Sequence, residues 1–291
     1  MHICAYTGSG IAMGLGAVGA AIGEGYTAAQ ANLAVSRNPE ISGDIFKNML
    51  VGQAVAESAS IFALVIAILL LFLDIPAVGH LKAAALFGAG ICMGFGAVGS
   101  GVGSGFPGGQ SCLGISRQPA AATRLTTNML IGSAVCQTPA IFSMVVALML
   151  IFMDFSNAPL HPTWAALLGA GLSTGLAAIG SGYGGGMAAG ASCEGIARQP
   201  ETVGNVTTIM LVGQAVAQTP SIFGLLVSFI LLFKSFAATE ALSAAMALLA
   251  AGLCTGFGGI GPGAVSYTHL TLPTRCHRCR SRWGGGGEGG G

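Results

Sequence analysis

The sequence predicts an all-α membrane protein made of tandem transmembrane helical hairpins, three complete and one truncated. Three observations lead there. Hydrophobic residues make up 53% of the 291-residue chain and charged residues only 7%, against about 25% charged in a soluble domain. Seven apolar stretches have the length of a membrane helix, which needs roughly 20 residues. The chain also repeats itself with a period of about 80 residues. Net charge is +1, so the charge balance gives no sign of a nucleic-acid or acidic partner.

The first span, about 5–34, lacks the basic flank and cleavage site of a signal peptide. It leads through Arg37-Asn38-Pro39 into a second span that begins near Ile45 and ends in the aliphatic run Ile61–Leu73. The pattern then recurs. Spans at about 83–114 and 125–153 flank Arg117-Gln118-Pro119, and spans at about 164–195 and 206–233 flank Arg198-Gln199-Pro200. The three Arg-x-Pro turns stand 80 and 81 residues apart. Each precedes a matching block: NMLVGQAVAESASIFALV, NMLIGSAVCQTPAIFSMV and IMLVGQAVAQTPSIFGLL. A seventh span, about 241–263, opens a fourth unit near Leu242 that stops inside its first helix. The expected units are therefore 1–76, 77–158, 159–237 and 238–264.

Residues 265–291 change character abruptly. Val265 to Thr274 is what a transposon-end sequencing adapter encodes when read in frame, and Cys279 to Trp283 fits its flow-cell end. We expect this tail, with its glycine run, to be read-through rather than native sequence. It contains Cys276-His277-Arg278-Cys279, whose spacing suits a metal ligand pair. A lone pair in such a tail is not a zinc site.

The two helices of a unit differ in composition. The first is rich in small residues, such as Gly14, Gly16, Gly19, Gly23 and Gly25. Each glycine weakens a helix by up to about 1 kcal/mol relative to alanine, so close helix approach must return that cost. Small residues allow such approach in lipid, where apolar burial gives no drive. The second helices end in bulky runs such as Ala67–Leu73 and Ala147–Met153, which suit lipid. A Gly-rich inner row and a bulky outer row follow. The pattern Gly14-x-Gly16-x-x-Gly19 lacks the preceding strand of a dinucleotide site. Cys4, Cys92, Cys112, Cys136, Cys193 and Cys254 stand singly in apolar segments and read as packing residues.

The Arg-x-Pro ends carry Arg37, Lys47, Arg117, Arg124 and Arg198, while the opposite connections carry the mixed set Asp74, Lys82, Asp154, Lys234 and Glu240. The positive-inside rule places the Arg-x-Pro loops in the cytoplasm.

Glu57 lies in mid-span. An ionised carboxylate there costs about 2.5–3.5 kcal/mol on insertion scales and marks a functional site by default. Glu24, in the partner helix, stands 13 residues before Arg37, and Glu57 stands 20 after it. At 1.5 Å per residue the two arms span about 20 and 30 Å. The loop and first turn shorten the second arm, so the two carboxylates reach similar depth. Both cannot ionise cheaply. A cation between them, with one proton shared, resolves the conflict; Ser58 and main-chain oxygens are at hand, and oxygen ligands suit a hard cation or a proton. In the other units Glu57 becomes Gln137 and Gln218, Glu24 becomes Ser104 and Gly185, and Ser58 becomes Thr138 and Thr219. Glutamine cannot cycle a charge, so these are expected to be lost ion sites. Pro139 and Pro220, beside them, are expected to kink their helices.

The Gly-rich first helix, the Arg-Asn-Pro or Arg-Gln-Pro loop and VGQAVAESASIFALVIAILLLF together resemble the rotor c-type proteolipids of F-type ATP synthases, over about residues 5–263. The resemblance implies that the hairpins form part of a c-ring in the membrane Fo sector. Such a ring turns against the a-type stator protein and touches the gamma and epsilon proteins of the central stalk through Arg37, Asn38 and Pro39. It implies Glu57 as the carboxylate that binds H⁺ or Na⁺, with no cofactor and no catalysis by this chain alone. The Glu57-Ser58 pair resembles Na⁺-coupled members, in which the ligands would map to Glu24, Glu57, Ser58 and the Val55 carbonyl. Phe62 and Ala59 depart from the Tyr and Thr that often accompany that site. The location implied is a bacterial inner membrane. Fused hairpins with lost carboxylates also resemble V-type proteolipids of ATP-driven pumps, and a non-rotary structural or channel-forming bundle is the alternative of another class.

Overall fold

The computed structural model describes residues 2–73 and 79–283, with side chains as far as Val265. Asp74 and the side chains of the suspect tail, including Cys276 to Cys279, lie outside the described residues. Helix α1 (His2–Arg37) pairs with α2 (Ser42–Phe72). Helix α3 (Gly79–Arg117) pairs with α4 (Ala122–Cys136) and its continuation α5 (Thr138–Phe152). Helix α6 (Leu160–Arg198) pairs with α7 (Val203–Phe233), and α8 (Leu242–Trp283) follows. Seven helical segments among the described residues are long and apolar enough to cross a membrane, and no strand occurs among them. The tandem-hairpin fold class expected from the sequence is what the chain adopts.

The turns explain why each hairpin reverses where it does. The residue before a proline is pushed out of the helical region. Asn38, Gln118 and Gln199 accordingly have φ of −143°, −138° and −141°, which stops α1, α3 and α6 at an arginine. That arginine sits in the last helical turn, where a cation complements the negative end of the helix dipole. The proline then starts a single 3-10 turn, Pro39–Ile41, Pro119–Ala121 or Pro200–Thr202, because its fixed φ and missing N–H suit a first position.

The Gly-rich helices α1, α3, α6 and α8 pack side by side as one row. Their backbones touch. A Cβ on Gly103 would run into the Gly182 carbonyl, and one on Gly105 into that of Gly23. The apolar helices form a second row: α2 lies against α1 and α3, α5 against α3 and α6, and α7 against α6 and α8. Each therefore fills the groove between two inner helices. Outward side chains such as Leu64, Ile68, Phe72, Phe223, Leu226 and Phe233 remain exposed, as a lipid-facing surface requires. Cys92, Cys112, Cys136 and Cys193 are buried free thiols, in keeping with a packing role.

Two buried clusters hold the rows together. One includes Ile66, Leu86, Met93, Leu150 and Leu167. The other, nearer the Arg-x-Pro turns, includes Ile45, Cys112, Leu125, Met129 and Ile196. Beside the second cluster lies a polar junction that occurs twice. Asn48 Nδ2 donates to Ser111 Oγ at 2.6 Å, and Thr126 Oγ1 donates to Asn48 Oδ1 at 2.8 Å. One repeat on, Asn128 Nδ2 donates to Ser192 Oγ at 2.7 Å, and Thr207 Oγ1 donates to Asn128 Oδ1 at 2.8 Å. Each asparagine thus ties its own hairpin to both helices of the next.

Replacing a buried partner leaves polar groups unpaired, at roughly 1–3 kcal/mol each. Asn128→Leu should therefore lower the thermal midpoint of the detergent-solubilised chain more than Ile209→Leu, an exposed position. Equal shifts would mean that the junction contributes nothing.

The prolines behave differently in the two later repeats. The second repeat breaks at Gln137 (φ −78°, ψ −15°) and resumes with Pro139 in the first turn of α5. Helix α7 runs through Pro220 without a break. The helix is thus interrupted beside Gln137 and continuous beside Gln218.

Candidate functional site

Glu57 and the two positions that align with it, Gln137 and Gln218, sit in the outer row. In the second repeat the geometry is complete. Gln137 is 6% exposed. Its Nε2 donates to Ser104 Oγ at 2.7 Å and to the Val55 carbonyl at 2.9 Å. Ser104 is the counterpart of Glu24, and it passes its own proton to the Ser100 carbonyl at 2.8 Å. The side chain at this position therefore reaches two places at once: the inner helix of its own hairpin and the outer helix of the hairpin before it.

The third repeat keeps the reach to the preceding hairpin. Gln218 is 9% exposed, and its Nε2 donates to the Val135 carbonyl at 3.0 Å. Val135 and Val55 occupy equivalent positions, two residues before Gln137 and Glu57. Pro139 has no N–H to offer the carbonyl four residues earlier, so Val135 loses its usual helical donor and the Gln218 amide takes that place. One turn nearer the loops, the fully buried Gln214 donates to the Gly132 and Gly185 carbonyls at 2.8 and 3.1 Å. Its counterpart in the second repeat is Ser133, whose hydroxyl is buried without a partner among the described residues, as is Gln137 Oε1.

In the first repeat the same position carries a carboxylate and is open. Glu57 is exposed, because no hairpin within the described chain precedes it. Glu24 is partly buried and lies close enough to Glu57 for their charges to repel. Ser58 Oγ donates to the Val55 carbonyl at 2.6 Å, leaving the hydroxyl oxygen free to face a ligand. Gln53 Nε2 lies 3.4 Å from the Glu24 main-chain carbonyl. Glu57 thus stands within electrostatic range of Glu24, with Ser58 next to Glu57, while the Val55 carbonyl points towards the following hairpin and meets Gln137. Arg37, Asn38 and Pro39 lie apart from these groups, at the turn.

Sequence reasoning did not find Gln53, Gln214, Asn48 or Asn128. A signal was available for the first two: VGQAVA stands in repeats one and three, and a polar amide recurring in mid-span demands a partner. Its partners are carbonyls on other helices, which no local pattern reveals.

Comparison with known proteins gives a consistent picture. The profile of the ATP synthase C-subunit family matches residues 7–70, 87–150 and 168–231. The ATP synthase c-subunit of Dehalococcoides mccartyi strain CBDB1 is 55% identical over 64 residues, covering 22% of this chain and 84% of the relative. That of Natranaerobius thermophilus is 49% identical over 74 residues, covering 25% and 84%. That of Petrotoga mobilis is 48% identical over 65 residues, covering 22% and 68%.

Proposed function

Since the chain belongs to the ATP synthase C-subunit family, we propose that it is a rotor-ring component that carries Na⁺ across the membrane at Glu57, coupled to ring rotation and to ATP synthesis or hydrolysis. The hairpins 1–76, 77–158 and 159–237 are the rotor units, and only the first binds the ion. The observation that supports this most is the position of Glu57. It alone of the three aligned positions keeps a carboxylate, and it stands on the open edge where a neighbouring unit would cover it as Gln137 and Gln218 are covered.

The ligand set is Glu57, Glu24 and Ser58; the Val55 carbonyl, expected with them from the sequence, instead accepts from Gln137 at the next junction. Oxygen donors of this kind suit a hard cation. The positive charge of Na⁺ offsets the repulsion between two carboxylates that neither could escape alone. Arg37, Asn38 and Pro39 form the surface for the gamma and epsilon proteins of the central stalk. Other c-type chains complete the ring, and the a-type protein is the stator. The Arg-x-Pro turns face the cytoplasm of a bacterial cell, with the protein in its inner membrane.

Fewer ion sites per turn lower the number of ions moved per ATP. Such a ring is matched to ATP-driven pumping better than to synthesis at low ion-motive force, and a measured ratio as high as one ion per hairpin would contradict this. Vesicles holding the complex should accumulate radioactive Na⁺ on addition of ATP, with no slowing by a protonophore. Acidification insensitive to Na⁺, without Na⁺ uptake, would make the ion H⁺.

A further inference from the structure

We propose that the Gln137 and Gln218 amide groups are fixed substitutes for the transported cation, closing the two junctions inside the chain by N–H···O=C bonds that no ion needs to complete. The inference rests on the reading of Glu57 as the ion site and extends it to the two positions that lack a carboxylate.

The geometry sets the orientation of the first amide. Gln137 faces the Val55 carbonyl and the Ser104 oxygen. A carbonyl can only accept, and the Ser104 hydrogen is already given to Ser100. The group between them must therefore be the NH₂. A cation at this place would be drawn to the same two oxygens, so the nitrogen and its hydrogens stand where positive charge would. The amide oxygen is left on the far side, buried without a partner among the described residues. Its unpaired state shows which end anchors the side chain.

The second junction uses the same device with a stronger acceptor. Pro139 removes the helical donor to Val135, and Gln218 supplies the replacement at 3.0 Å. Gln214 adds one donation across the same junction, to Gly132, and one within its own hairpin, to Gly185. A carboxylate at either place would face a carbonyl with no proton to offer and would need a proton or a metal cation between them. The amide removes that need. These two junctions therefore stay closed whatever the ion concentration, while the Glu57 edge opens and closes with its ion.

Hydrogen–deuterium exchange of the purified ring, read by mass spectrometry with and without Na⁺ and across pH, tests this directly. Protection over 133–141 and 214–222, taken relative to the intrinsic exchange rate at each pH, should not respond to either ion. Gln137→Leu, which keeps the bulk and loses the donor, should speed exchange over 133–141 roughly five- to tenfold. Gln137→Glu should make that segment ion-responsive and add a second carbodiimide-reactive carboxyl. Ion-dependent protection of 133–141 in the unaltered chain, or Gln137→Leu exchanging like it, would overturn the proposal. Carbodiimide labelling of Glu57 in the same samples keeps the two readings apart. Its failure removes the ion site at Glu57, whereas the leucine variant still reports on the junction.

Discussion

Glu57→Gln should reduce ATP-driven ion uptake by the reconstituted complex to background, while the chain still inserts and assembles. The chain contains its own controls for the second half of that statement. Glutamine already occupies the aligned position twice, and both amides find main-chain acceptors at 2.9 and 3.0 Å. The fold therefore accepts glutamine there. What the substitution removes is the charge that must appear and disappear as an ion leaves and binds. A carboxylate can change state at membrane depth at a cost of about 2.5–3.5 kcal/mol on insertion scales, which an ion or a proton cancels, and an amide has no second state. Glu24→Gln should act more mildly, because a neutral oxygen remains beside Glu57. It should weaken the apparent affinity for Na⁺ without abolishing turnover. Uptake by Glu57→Gln comparable with the unaltered complex would remove Glu57 from the mechanism.

The other large effect lies in the inner row. Gly103→Val should prevent assembly of the chain in its folded form, because a Cβ at Gly103 overlaps the Gly182 carbonyl and one at Gly182 meets Gly99. Backbone lies on both sides, so no side-chain rotation relieves the overlap. Overpacking of this kind costs about 1–3 kcal/mol when neighbours can shift and more when they cannot. The matched control is Gly204→Ala. No atom lies within 4 Å of a Cβ there, and the second repeat carries Thr123 at the equivalent place. That variant should fold at least as well as the original, since alanine favours a helix by up to about 1 kcal/mol over glycine. Yield of the SDS-resistant or detergent-stable species, measured by size-exclusion chromatography, separates the two. Equal yields would mean that the inner row is not held by backbone contact.

Much of this architecture can be read from the residues. The span expected over 83–114 is α3, Gly79–Arg117, and the one expected over 206–233 is α7, Val203–Phe233. Hydropathy and the Arg-x-Pro turns act locally, so they leave a local trace. The glycine content announced close approach, although which carbonyl each glycine meets depends on neighbours about 80 residues away. The same distance hid the junctions. Asn48 and Asn128 look like ordinary polar residues near a turn until their partners, Thr126 and Thr207, arrive from the next repeat. The position of Glu57 was legible because a carboxylate in an apolar run is costly and visible. The facing of Val55 was not, because a main-chain carbonyl has no identity in a sequence. The unequal effect of Pro139 and Pro220 on helix continuity also escaped the sequence.

The most direct test of the central claim is carbodiimide labelling of the purified ring, followed by mass spectrometry of the chain with and without Na⁺. The account predicts an adduct at Glu57 that Na⁺ suppresses, and none at the Gln137 or Gln218 positions. An adduct at Glu57 that responds to pH alone would keep the rotor and change the ion to H⁺. A ring in which Glu57 stays unlabelled under every condition would contradict the account, because the carboxyl proposed to take up and release the ion would not be an accessible, protonatable group.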